Sequence, residues 1–191
     1  LYAGKKLLAS DESRNPRITM GSRMLENLRG LQLQNRIFTD DDLYKGNFGI
    51  EMETGTGKTY VYLRTILDLY KTYGFKKFMI VVPSIAIRTG VAKSITMLKD
   101  HLKTLYNLDI TKHSFVYERL GTQMTGFIES RELQICVINT QAFAADRTKI
   151  KNADESGHVI WDELKEISPI VILDEPQRIE GTKKKPSKSI K

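Results

Sequence analysis

Gly55, Gly57, Lys58 and Thr59 stand close together in the run Thr54-Gly55-Thr56-Gly57-Lys58-Thr59, and their types are those that hold a phosphate chain. Glycines let the backbone curl until successive N–H groups point inward. A helix starting at the lysine adds partial positive charge, and the lysine itself adds a full one. The result is a cradle for a triphosphate, with the Thr59 hydroxyl placed to ligate Mg²⁺. The strict phosphate-loop pattern has a glycine six places before the lysine, and Met52 occupies that place here. The shorter Thr-Gly-x-Gly-Lys-Thr form is intact. A second group of residues could complete the chemistry. Ile170-Val171-Ile172-Leu173 runs straight into Asp174-Glu175. Mg²⁺ is hard and keeps several waters, so a single carboxylate, Asp174, is enough to hold it through its hydration shell. Glu175 beside it can orient and deprotonate an attacking water. Alone, such a pair is also an acidic turn closing a strand; together with the loop it reads as nucleotide hydrolysis.

The elements that must position these groups follow from the apolar pattern. Residues 48–53 read as a strand, 58–73 as a helix with Gly74 as its C-cap, and 78–82 as a strand buried on both faces. Pro83 ends that strand, and a long helix can run over 85–106. Further strands are expected at 114–117, 133–138 and 170–173, and a helix at 22–33. Residues 146–168 are polar and read as a surface excursion. Short apolar strands alternating with helices imply an α/β fold with a mainly parallel sheet covered on both faces, and such sheets bind ligands at the carboxyl ends of their strands. The 53–59 loop, Pro83-Ser84, Asn139-Thr140 and Asp174-Glu175 all fall at such ends, so four segments are expected to converge on one rim.

Composition narrows the class. A chain of 191 residues can build one good-sized core, and 40% hydrophobic with 28% charged residues is ordinary for a soluble globular protein. No apolar run approaches the length of a membrane span, and Leu1 to Lys6 form no secretory leader. The chain opens on Leu1 rather than Met, which points to a fragment. Cys136, inside an apolar run, reads as a buried thiol of a reduced, cytoplasmic protein, and the scattered His101, His113 and His158 lack zinc-ligand spacing. The net charge is +7, but Lys183, Lys184, Lys185, Lys188 and Lys191 crowd the last eleven residues; without them it is +2. That tail could touch phosphate backbones but reads first as a solvated, flexible segment. The domain division is a lead-in over 1–47 packing on the domain edge, an ATPase domain over 48–180 and a basic tail over 181–191.

With these residues assembled, the chain resembles the superfamily 2 helicase-like motors, and within them the ATPase (Res) subunit of type III restriction enzymes. The resemblance rests on Met52-Glu53-Thr54-Gly55-Thr56-Gly57-Lys58-Thr59-Tyr60, on Val82-Pro83-Ser84-Ile85-Ala86-Ile87-Arg88 and on Asp174-Glu175-Pro176-Gln177, covering about residues 48–177. Most helicases of the superfamily carry alanine after the acidic pair; the proline here, with the Met-Glu opening of the loop, marks the type III family. The resemblance implies the first RecA-like P-loop NTPase domain, a three-layer fold, using ATP and Mg²⁺. It implies phosphate contacts at Thr54, Gly55, Thr56, Gly57 and Lys58, metal contacts at Thr59 and Asp174, and water activation by Glu175. Gln177 would couple the nucleotide to neighbouring elements. Pro83, Ser84 and Arg88 match a segment that grips the nucleic-acid backbone, and Thr140-Gln141 match a second. Pro83 and Ser84 are also ordinary punctuation between strand and helix, and Arg88 reads equally as a solvated helix charge. The partners implied are double-stranded DNA, a methyltransferase (Mod) subunit, and a second motor domain and a nuclease domain of the parent chain, with no membrane. The family's Ser-Ala-Thr segment, which should follow the acidic pair, does not occur before Lys191.

Three other readings compete. Another DNA or RNA helicase of the superfamily would carry no nuclease downstream. A small-molecule kinase would use the same loop but lack an adjacent Asp-Glu after a later strand. A non-catalytic module would keep the fold but gain nothing from Lys58.

Overall fold

A computed structural model describes residues 13–118, 121–144 and 160–179. The expected tail at 181–191 lies outside these residues, as does most of the excursion expected at 146–168. The contacts divide the chain into two compact units, residues 17–58 and residues 1–16 with 59–191.

In the smaller unit, helix α1 (Ser22–Gln34) buries none of its side chains. Polar clasps hold the following chain to it. The Arg29 Nε donates to the Asp40 carbonyl at 2.8 Å, and Gln32 exchanges two hydrogen bonds with Asp40, at 2.7 and 3.0 Å. The strand expected at 48–53 does not form; this segment has no ladder partner and no regular structure. Phe48 and Ile50 are 51% and 75% exposed. An apolar run supplies side chains for a strand, but the strand itself exists only through pairing.

The larger unit is built on a four-stranded sheet, β1 (Lys77–Val82), β2 (Ser114–Val116), β3 (Gln134–Asn139) and β4 (Ile170–Leu173), in the order β2-β3-β1-β4 and parallel throughout. Alternation along β1 sends Phe78, Ile80 and Val82 to one face and Met79 and Val81 to the other, and all five are buried. Helix α2 (Lys58–Tyr73) covers the first face with Leu63, Ile66 and Leu67, and α3 (Ile85–Tyr106) covers it with Val91, Ile95 and Leu102. These spacings put one stripe of each helix on the sheet. Ser84 caps α3 by accepting from the Ile87 N–H, and Asn107 closes it with φ of 51°. Gly74, with φ of 77°, stops α2 as expected.

The second face packs against α4 (Gly121–Glu129), the short α5 (Gln141–Ala144) and α6 (Ile160–Ile167), through Met124, Phe127, Ala142, Leu164 and Ile167. Residues 160–167 thus correct the expectation of a polar excursion. Leu164 and Ile167 make a short apolar stripe that the surrounding charges obscure. Cys136 is fully buried in this layer, where burial pushes its thiol pKa far up and leaves it unreactive.

Two polar residues fasten the amino end of the sheet. The Asn15 side chain accepts from the Lys76 and Lys77 N–H groups and donates to the Lys77 and Ser168 carbonyls, so it joins the starts of β1 and β4. Lys77 shares the alternate face with Met79 and Val81. Its buried ammonium donates to the Phe127 and Ser130 carbonyls at the end of α4 and lies 5.4 Å from the Phe127 ring centroid. These carbonyls belong to the last turn of a helix, where no intrahelical partner exists and the dipole favours a cation.

Burial, and secondarily the charge of Lys76, lower the Lys77 pKa from 10.5 to about 8. The folded state therefore holds this proton less tightly than the unfolded chain. Stability is fully present above 10.5 and is lost as pH falls through about 8. Urea titrations of wild type and Lys77→Met at pH 7 to 10.5 should diverge across that window, wild type gaining on the order of 2–3 kcal/mol relative to the variant as pH rises. A constant difference between the two proteins would contradict this assignment.

Candidate nucleotide-binding site

The Thr54–Lys58 loop belongs to the smaller unit. Gly55 and Gly57 have φ of 81° and 89°, a region open to glycine and costly to other residues. Thr56 folds the loop over itself, its N–H and hydroxyl both reaching the Glu53 carbonyl, at 3.4 and 2.7 Å. The Lys58 ammonium turns back towards the Met52 and Glu53 carbonyls at 3.4 and 3.5 Å, long contacts that a stronger acceptor could replace. No acidic residue occupies the first turn of α2, so the protein itself leaves that helix start electropositive. Thr54 to Gly57 are exposed.

Three of the expected rim segments come level in the larger unit. The register pairs Val82 with Asn139 and Val81 with Leu173. Beyond the strands the pairing continues: the Thr140 N–H donates to the Val82 carbonyl and the Asp174 N–H to the Val81 carbonyl, both at 3.0 Å. From β1 the chain crosses to the edge strand β2, returns to β3 beside β1, and then crosses to β4 on the other side of β1. The β1/β4 boundary is therefore the topological switch point, where parallel sheets open a crevice beyond their carboxyl ends. Asp174 stands at that boundary.

Thr59 starts the buried stripe of α2, and Tyr62 is one turn further along it. The Tyr62 hydroxyl is buried without a hydrogen-bond partner. Thr59 is close enough to lower its pKa somewhat, but without hydrogen-bonding geometry. Burial dominates, the Asp174 charge adds to it, and the pKa is pushed up to about 12. Thr59, Tyr62 and Asp174 thus share one neighbourhood.

Glu175 adopts φ of 54°. Its Oε2, sealed from solvent, lies 3.0 Å from Arg178 Nε in an ion pair that lacks hydrogen-bond geometry. Arg178 was not recognisable as a site residue from the sequence; its only signal is its place three residues after Glu175. Gln177 is exposed at the start of the short helix α7 (Pro176–Ile179). Of the residues matching backbone-gripping segments, Ser84 is engaged as the α3 cap. Arg88 donates to the Tyr117 carbonyl at 2.8 Å, while its Nε is buried without a partner. Thr140 reaches the Pro83 carbonyl at 3.5 Å, and exposed Gln141 accepts from Asn139 at 3.4 Å.

Thr59, Tyr62, Asp174 and Glu175, all of the larger unit, have the chemistry to hold a hydrated Mg²⁺. Among the described residues, no three His, Cys, Asp or Glu side chains gather as metal ligands. An ion here would rest on one or two protein oxygens and otherwise on phosphate and water, which is how Mg²⁺ binds. The buried Tyr62 hydroxyl and Glu175 Oε2 both lack a hydrogen bond, the latter held only by the Arg178 charge, and are polar atoms that such a hydrated ion could satisfy.

Comparison with known proteins gives a consistent answer. The family described as "Type III restriction enzyme, res subunit" matches residues 18–185. The EcoP15I Res subunit of Escherichia coli is 27% identical over 194 residues, covering 89% of this chain and 20% of that subunit. The EcoPI Res subunit of Escherichia phage P1 is 28% identical, over 71% of this chain and 16% of its own length. The StyLTI Res subunit of Salmonella typhimurium strain LT2 is 31% identical, over 70% and 16%. The chain therefore spans a fifth or less of these relatives. The parallel α/β sheet is that of a RecA-like P-loop domain, and the chain belongs to the type III restriction enzyme Res subunit family, as its first helicase-like domain.

Proposed function

We propose that this chain is the ATP-holding half of a two-domain motor in a type III restriction subunit. Gly55, Thr56, Gly57 and Lys58 take the phosphates, with Thr54 at the loop entrance. Thr59 and Asp174 hold Mg²⁺, partly through water, and Glu175 draws the proton from the attacking water. Bound there, Mg²⁺ neutralises charge on the phosphate oxygens. Glu175 first has to exchange Arg178 for that water, and Gln177, next to the acidic pair, carries the nucleotide state to neighbouring elements. The observation that carries this reading is Asp174-Glu175 at the switch point of a parallel sheet, in a chain whose α2 opens on Gly-Lys-Thr.

The whole enzyme would use ATP to move along double-stranded DNA or to switch conformation on it. It would work with a methyltransferase (Mod) subunit, a second motor domain and a nuclease domain. The relatives' description as Res subunits of restriction-modification enzymes supports this. Pro83, Ser84, Arg88, Thr140 and Gln141 would face the DNA backbone. Since Ser84 and Arg88 already serve the fold, backbone N–H groups and the Thr140 and Gln141 side chains carry more of that grip.

Lys58→Ala tests the phosphate site. Losing a charge-assisted contact should weaken Mg²⁺-ATP binding about 10- to 100-fold in a fluorescence titration, with the thermal midpoint unchanged. Equal affinity of variant and wild type would reduce the loop to a relic. Turnover gives a second check. An arginine supplied from a neighbouring domain is worth roughly 10³–10⁵ in rate in related nucleotide hydrolysis. The 191-residue chain acting alone should therefore hydrolyse ATP slowly with or without DNA. Vigorous DNA-stimulated phosphate release would show that its active site is already complete.

A further inference from the structure

Tyr62 is placed for work that the motif residues do not account for. It follows Thr59 by one helical turn on the stripe that continues through Leu63, Ile66 and Leu67. Its ring packs against the core cluster that also receives Ile170 and Ile172 of β4. Period-two alternation puts Asp174 on that same face of the strand, and the Asp174 N–H, still paired to Val81, keeps the strand direction to that point. The helix and the strand thus bring Thr59, Tyr62 and Asp174 together from two sides.

The ring alone explains the packing. The hydroxyl does not contribute to it: its oxygen is sealed from solvent and has no hydrogen-bond partner. A phenol carries its proton at neutral pH, so it is a donor. A buried hydroxyl left unpaired is unfavourable, and phenylalanine would fill the same space without that penalty. An orphan of this kind, beside the carboxylate assigned to the metal, is explained by a partner that arrives or turns when the site fills.

We propose that Tyr62 is a positioning residue for the metal site, its hydroxyl donating to the Asp174 carboxylate once Mg²⁺ and nucleotide are in place. This rests on the reading of Thr59 and Asp174 as metal-holding groups. A carboxylate that holds an ion through water presents one of its two oxygens to it, and a neighbouring donor helps fix which one. Removing such an outer partner typically weakens metal affinity about 10- to 100-fold while leaving the first ligands in place.

The test compares wild type with Tyr62→Phe in the 191-residue chain, using a fluorescent ATP analogue with Mg²⁺ and with EDTA, alongside thermal melts. Wild type should bind more tightly with Mg²⁺. Tyr62→Phe should lose about 10-fold of that Mg²⁺-dependent gain, keep its metal-free affinity, and melt at the same or a higher temperature. Unchanged Mg²⁺ dependence would overturn the inference alone, while nucleotide binding and its sensitivity to Lys58→Ala would still support the site. A lower melting temperature for Tyr62→Phe would assign the hydroxyl to the fold and overturn it equally. Absence of nucleotide binding in wild type would overturn the site reading, and this inference with it.

Discussion

The parallel pairing of β1 with β3 and β4 is the constraint on which the rest of the larger unit depends. With β1 in the centre and its neighbours in register, Val82, Asn139 and Leu173 end within a residue of one another. Every strand then leaves the sheet at the same rim. The next residues are still clamped, because the Thr140 and Asp174 N–H groups donate to carbonyls of β1. Each such bond contributes only about 0.5–1.5 kcal/mol net. Its larger effect is positional: Asp174 begins its turn from a fixed point at the switch between β1 and β4.

The two ends of the sheet are built to different standards. At the amino end polar groups are paired in full: Asn15 satisfies four backbone groups across two strands, and Lys77 satisfies two carbonyls at the end of α4. At the carboxyl rim stand all of the buried side-chain atoms without a hydrogen bond found among the described residues: the Tyr62 hydroxyl, Arg88 Nε and Glu175 Oε2, the last held only by its ion pair with Arg178. Buried polar atoms without hydrogen bonds are uncommon in native proteins, and three at one rim is not what packing alone produces. The same rim holds Glu175 in a left-handed backbone conformation. Strain and unsatisfied groups collected where ligands bind, with the opposite end fastened, is the arrangement expected when stability and function are separated along a sheet.

Much of this was legible in the sequence where local chemistry decides the outcome. Helices at about 58–73 and 85–106 were legible, because Gly74 and Ser84 act through their own backbone and side chain. The strand at 78–82 was legible as an apolar run because it is covered on both faces, whereas the equally apolar run at 170–173 forms its strand with only Ile170 and Ile172 on the core and with Val171 and Leu173 half exposed. Failures came where partners decide. Residues 48–53 had the composition of a strand but not the pairing. Helix α6 hid Leu164 and Ile167 among charges, and α4, with glycines at 121 and 126, gave a weak helical signal. Lys77 is fully buried, which its residue type does not signal. The motif residues of the site could be named from their spacing, whereas Tyr62 and Arg178 could not. Their significance lies in what surrounds a hydroxyl and a guanidinium, which periodicity does not encode.

Pro176 shows how one backbone choice links these observations. It opens α7, where a missing N–H costs nothing, and its fixed φ suits a helix start. Its ring also crowds the residue before it, disfavouring the right-handed helical region for Glu175 and so preventing α7 from extending backwards over the acidic pair. Glu175 takes φ of 54° instead, at an expense of about 1–3 kcal/mol for a residue with a side chain. A glycine would remove that strain, but it would also remove the carboxylate. The sharp turn separates the pair: Asp174 keeps its strand hydrogen bond to β1, while Glu175 turns towards Arg178. The two carboxylates thereby leave the chain from differently held residues, one whose backbone is still paired to β1 and one beside the Arg178 charge, a separation that suits the proposed division between holding a metal ion and activating a water.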